Sequence, residues 1–212
     1  MVGTRPKSKI SGAERQDGGN GDWYQNGWSR DGEGLPIPTA RLGFWLFLSA
    51  VAMLFAAFSS AYLVRMPMPD WLTFTKPPIL WLNTFILVVS SGTMHWSLIS
   101  GRRGNLEGLR KGLVVTTVLG VSFVLGQLLA WQQLKEEGVY LQTNPASSFF
   151  YLLTAMHGLH LLGGIVALIW VTVRAWRHSY IGQNLIGVEL CAFYWHFLLL
   201  VWIWLFVLIS LT

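Results

Sequence analysis

The sequence carries five apolar stretches, each long enough to cross a lipid bilayer, and together they occupy most of the chain after Arg41. Crossing a hydrocarbon core of about 30 Å takes roughly 20 residues of helix at 1.5 Å rise each. The stretches run over residues 42–64, 78–100, 112–134, 148–173 and 187–211, and Glu189 is the one acidic side chain inside any of them. Hydrocarbon offers the backbone no water, so such segments must close their hydrogen bonds internally and are helices. Charged residues make up 12% of the chain, half the roughly 25% expected of a soluble domain. The expected fold is all-α: a polytopic bundle of five transmembrane helices in residues 41–212, behind a polar, Gly-rich tail in residues 1–40.

The net charge of +5 does not point to nucleic acid, because in a membrane protein the placement of basic residues matters more than their sum. Arg5, Lys7, Lys9, Arg15, Arg30 and Arg41 precede the first span, Arg102, Arg103, Arg110 and Lys111 follow the second, and Arg174 and Arg177 follow the fourth. The other side holds only Arg65, Lys76 and Lys135. This bias predicts a cytoplasmic N-terminus and an external C-terminus. The tail contains no apolar run, so the first span is expected to direct insertion itself. Its Trp23, Tyr24 and Trp28 leave two readings open, plain disorder or a docking segment, and Pro36 and Pro38 leave Thr39 as the expected N-cap of the first helix.

Connections of about 10 to 15 residues are expected from these spans, with no room for an extramembrane domain between helices. Asn144 and Pro145 read as a helix start. Trp71, Trp81, Trp96, Trp131, Trp170 and Trp176 lie near span ends, where an aromatic belt forms. Ser49, Ala52 and Ala56 share one face of the first helix, and Gly158, Gly163 and Gly164 mark the fourth, so both are expected to approach a neighbouring helix closely. Cys191 is the single cysteine, which excludes an intrachain disulfide and a thiolate metal cluster.

Polar side chains in a span are expensive and need partners. Three stand out, His157, His160 and His196. Counting at 1.5 Å per residue puts His160 about 18 Å below the outer boundary and His196 about 13 Å above the inner one, which nearly coincide in a core about 30 Å thick. His157 shares a face with His160, and Glu189 with His196. The expectation is a polar seam between helices four and five, structural in role, with hydrogen bonds to Thr154, Tyr194, Gln127 or backbone carbonyls and with Glu189 paired to Arg174 or Arg177. Imidazoles also ligate haem iron and copper, but three are too few for a binuclear oxygen-reducing centre. No catalytic, metal or cofactor site is expected in this chain.

The run Ser148-Phe149-Phe150, Thr154, His157-Gly158-Leu159-His160 and Gly163-Gly164 resembles the fourth-helix signature of subunit III of the haem-copper terminal oxidases, the cytochrome c oxidase subunit III family, in its five-helix bacterial form. Glu189 followed by Tyr194-Trp195-His196-Phe197 and Trp202 resembles that family's last helix, Leu42 to Leu48 its first, and Leu82-Asn83-Thr84 with Ser90-Ser91 its second. The resemblance covers Arg41 to Leu211. It implies a non-catalytic subunit of a respiratory oxidase in the bacterial cytoplasmic membrane, packed against the catalytic subunit I, binding structural phospholipid, with haem and copper in partner subunits. The family's acidic positions are replaced here by Val51 and Leu199, which argues for scaffolding over proton handling. The alternatives are an accessory subunit of a nitric oxide reductase of the same superfamily and, more remotely, a haem-carrying electron-transfer protein or a transporter.

Overall fold

A computed structural model describes residues 39–72, 76–177 and 185–211. These residues form five helices, α1 (Thr39–Arg65), α2 (Ile79–Arg102), α3 (Leu106–Glu136), α4 (Pro145–Arg177) and α5 (Ile186–Ser210). All five are long and apolar enough to cross a membrane, and each expected span falls on one of them. Helix is already established at Thr39, so Thr39 is not the cap, and the tail aromatics Trp23, Tyr24 and Trp28 lie outside the described residues.

Helices α3 and α4 extend beyond their apolar stretches, and the connections are correspondingly shorter than expected. Only residues 103–105 join α2 to α3. Gly104, at φ 76°, allows this: its N–H reaches the Gly101 carbonyl and the Asn105 N–H reaches the Ser100 carbonyl, both at 3.0 Å, the paired bonds that satisfy a helix C-terminus through a left-handed residue. Asn105 then caps α3 by accepting the Gly108 N–H at 2.9 Å. Gly138, at φ 79°, closes α3 the same way, with Val139 N–H donating to Leu134. At α4 Asn144 and Ser147 cap reciprocally, each backbone N–H donating to the other's side-chain oxygen at 3.2 and 2.9 Å, with Pro145 as the first helical residue, where its missing N–H costs nothing.

Helices α2, α3, α4 and α5 pack side to side in a closed ring, and α1 lies outside it against α4 and α5. The most extensive interface is between α2 and α3, and glycine explains its closeness. A Cβ at Gly112 would sit 2.5 Å from Ser97 Cβ, and one at Gly108 would sit 2.9 Å from Ser100 Oγ. On the next turns of α3 a Cβ at Gly120 would meet the Trp195 ring at 2.8 Å. Small residues recurring every fourth position let two backbones approach in a membrane, where packing rather than hydrophobicity drives association. The expected close approach of α4 is made by Gly164 alone, against Tyr194, whereas Gly158 and Gly163 face open space. On α1 the packed face is Leu48, Val51, Phe55, Ser59 and Tyr62. Ser49, Ala52 and Ala56 are exposed, because α1 turns its bulkier apolar stripe, one position away, towards α4 and α5.

Candidate functional site

The intramembrane histidines do not form one seam. His196 directs Nδ1 to Ser91 Oγ of α2 at 2.5 Å and lies 5.8 Å, ring to ring, from His95. His160 instead directs Nδ1 to the Met156 carbonyl of its own helix at 2.8 Å and packs on Phe55 of α1 at 5.5 Å. The link from α5 to His160 is Tyr194, whose hydroxyl donates to the His160 carbonyl at 3.0 Å. Residues two apart on a helix point about 200° apart, so Tyr194 and His196 cannot both face α4. Matching depth was legible in the sequence, but azimuth decides the contact.

His157 occupies the centre of the bundle and is fully buried. Its ring is caged by Trp202 at 5.0 Å, Phe123 at 6.0 Å and Phe55 at 6.4 Å, and neither nitrogen has a hydrogen-bond partner among the described residues. Gln127, an expected partner, instead meets Asn83 at 3.5 Å. Thr154, another, accepts from Trp131 Nε1 at 3.2 Å. Val51 packs with Phe55, Tyr62, Leu153 and Val201, and Leu199 against the main core, so both positions are apolar in surroundings as well as in residue type.

Indoles make several of the polar ties between helices. Trp195 Nε1 donates to Ser90 Oγ at 3.0 Å and Trp202 Nε1 to Thr84 Oγ1 at 3.0 Å, both joining α5 to α2. Trp204 Nε1 donates to Ser59 Oγ at 3.0 Å and joins α5 to α1. The accepting hydroxyls donate in turn, Ser59 to the Phe55 carbonyl and Thr84 to the Leu80 carbonyl one turn back, both at 2.8 Å, and Ser90 to the Thr116 carbonyl of α3 at 3.4 Å, so both partners are satisfied with no charge in the bilayer. Trp131, expected in an interfacial belt, belongs to these ties.

Glu189, in the first turn of α5, pairs with Arg102 of α2 at 3.0 Å and with Arg41 of α1 at 3.7 Å. The expected partners are otherwise engaged or elsewhere: Arg174 stacks over Trp170 at 5.3 Å. Arg110 stacks over Trp176 at 5.3 Å and donates to the Ala175 carbonyl at 2.9 Å, fixing α3 to α4 at the same level. A carboxylate at the start of α5 also complements the helix dipole.

Sequence reasoning misses His95, Gly112 and Gly120. His95 was within reach, since it stands four residues after Ser91 inside an expected span, and the glycines recur at multiples of four along α3.

Among the described residues no three His, Cys, Asp or Glu side chains converge as a ligand set. What the arrangement can do is hold five helices in register. Comparison with known proteins agrees with a respiratory context: the family of cytochrome c oxidase subunit III matches residues 37–211. A cytochrome c oxidase subunit 3 of Synechocystis is 35% identical over 181 residues, covering 82% of this chain and 76% of that protein. One of Thermostichus vulcanus is 32% identical over 173 residues, with 79% and 85% covered. A quinol oxidase subunit 3 of Bacillus spizizenii is 30% identical over 171 residues, with 78% and 83% covered.

Proposed function

Because the chain belongs to the cytochrome c oxidase subunit III family, an accessory subunit of haem-copper oxidases, we propose that it is a scaffold, holding no haem or copper itself and packing against the catalytic subunit I. The observation that carries this reading is the divergence of the histidines. His157 is sealed in an aromatic cage, His160 is spent on its own helix and His196 on Ser91, so no two of these three present nitrogens to one ion or haem, and His95 beside His196 makes only a pair, with no third ligand among the described residues. The absence of acids at Val51 and Leu199 supports scaffolding over proton delivery.

Orientation follows the charge bias. Arg41, Arg102, Arg110 and Arg174 gather at one end of the bundle, which we assign to the cytoplasmic side of a bacterial inner membrane. Phospholipid fits the surface of the bundle at that end. A groove of about 410 Å³ between α1, α4 and α5 is lined by Phe44, Phe47, Gly163, Ala167 and Trp170, and Arg174 stands over the Trp170 ring. An acyl chain would fill the groove with its phosphate at headgroup level. Relatives named for cytochrome c and for quinol both match, consistent with donor sites lying on other subunits.

Purification of the tagged chain from its native membrane tests the reading. The expected result is recovery with a haem-bearing catalytic subunit in about equal amounts, while the chain isolated alone is colourless and consumes no oxygen. Stoichiometric haem or copper in the isolated chain would overturn it.

A further inference from the structure

Helix α2 and helix α5 share an outward flank that is apolar except at one level. His95 is exposed there, and its ring lies 5.8 Å from that of His196. The depths agree. His95 is seven residues before Arg102 and His196 is seven after Glu189, so both rings stand about 10 Å along their helices from the Arg102–Glu189 ion pair. His196 spends Nδ1 on Ser91, which leaves three ring nitrogens of the pair without a hydrogen bond within the described residues. Exposed hydroxyls such as Ser49 and Ser122 satisfy themselves on the carbonyl one turn back. His160 does the same with the Met156 carbonyl, whereas neither His95 nor His196 bonds a carbonyl of its own helix within the described residues.

Acyl chains offer neither donor nor acceptor, so polar side chains at this depth are turned towards protein or water. From the pair a groove of about 460 Å³ continues along α5, lined by His196, Leu199, Leu200, Ile203, Trp204 and Val207. Positions 196, 199, 200, 203 and 207 follow the three-and-four spacing of a helix-docking stripe.

We propose that this flank receives a transmembrane helix of the catalytic subunit, and that this helix presents a hydrogen-bonding side chain to His95 and His196. The proposal rests on the reading of the chain as an oxidase subunit. By contrast the outward face of α3, with Val114, Val118, Val121 and Leu125 exposed, carries one hydroxyl, Ser122, and that is already spent on the Val118 carbonyl.

The test uses the assembled complex in native membranes. A photoreactive p-benzoyl-phenylalanine placed at Ile203 is expected to crosslink to the catalytic subunit, and the same group at Val118 is not. In a second arm, His95→Phe is expected to reduce the chain recovered with the complex after a detergent wash at least threefold, with its level in unwashed membranes unchanged. Crosslinking from Val118 but not Ile203, crosslinking from Ile203 only to a second copy of this chain, or none from Ile203 to any protein would overturn the docking assignment. Full retention of the His95→Phe chain would overturn the hydrogen-bonding role of the pair. Failure of the underlying reading looks different, because the unsubstituted chain would then not recover any haem-bearing subunit.

Discussion

His157 is a polar side chain whose burial nothing in the described structure repays. Both of its nitrogens lack partners, and an unpaired polar group removed from water costs about 1 to 3 kcal/mol by protein mutational measures. Leucine has similar bulk and no polar atom. His157→Leu is therefore expected to leave the purified chain as stable as before or to raise its stability by about 1 kcal/mol, read from denaturant or thermal unfolding in detergent. A loss of more than 1 kcal/mol would mean that the ring is held by a hydrogen bond after all. His196 is the opposite case. It holds a short bond to Ser91, and hydrogen bonds between membrane helices average about 0.6 kcal/mol with a maximum of about 1.7. His196→Phe should cost the isolated chain an amount in that range, and the same substitution in a Ser91→Ala background should cost close to nothing. A full-sized second loss would show that Ser91 is not its partner.

At the scale of elements, the α2–α3 pair depends on the absence of side chains. Gly112 faces Ser97 too closely for a methyl group, with backbone Cα of Ser97 2.9 Å from the ideal Cβ, so no rotamer change can make room. Gly112→Ala is expected to destabilise the purified chain by about 1 to 3 kcal/mol, the usual range for overpacking, whereas Gly163→Ala, which meets nothing within 4 Å, should be neutral. Equal stability of the two variants would refute the close-packing account. This pair also marks the limit of what the sequence discloses. Five spans were legible because bilayer thickness and backbone satisfaction leave one solution for each apolar stretch. Hydropathy says nothing about rotation around the helix axis, and rotation determines which face is buried. Ser49, Ala52 and Ala56 of α1 and Gly108, Gly112 and Gly120 of α3 are both small-residue stripes, yet only the second meets another helix within the chain. The site followed the same rule. Depth placed His160 and His196 together, while the 200° between Tyr194 and His196 sent His196 to α2, and Glu189 found Arg41 and Arg102 because helix ends that converge in space are distant in sequence.

For the molecule as a whole, the consequential asymmetry is that α1 stands outside the ring formed by α2 to α5. Among the described residues two polar links bind it to α5: the Arg41–Glu189 pair near the start of both helices and the Trp204–Ser59 bond towards their other ends. Between them lies a small apolar contact of Val51, Phe55 and Tyr62 with Leu153, Val201 and Leu205. The interhelical bond contributes about 0.6 kcal/mol. The ion pair, with Arg41 half-exposed, contributes about 0 to 1 kcal/mol. Removing both in Glu189→Gln, Trp204→Phe should therefore favour separation of α1 by about 1 kcal/mol, a factor of roughly 5 in its opening equilibrium. Glu189 also holds Arg102, so some loosening at the Arg102 end of α2 is expected as well, but α2 stays locked to α3 by the glycine interface. Hydrogen exchange followed by mass spectrometry in detergent micelles should then show α1 peptides exchanging several-fold faster, with α3 peptides unchanged. Uniform acceleration across all five helices would mean that α1 is integral to the bundle, and that its links to α5 support the ring as a whole.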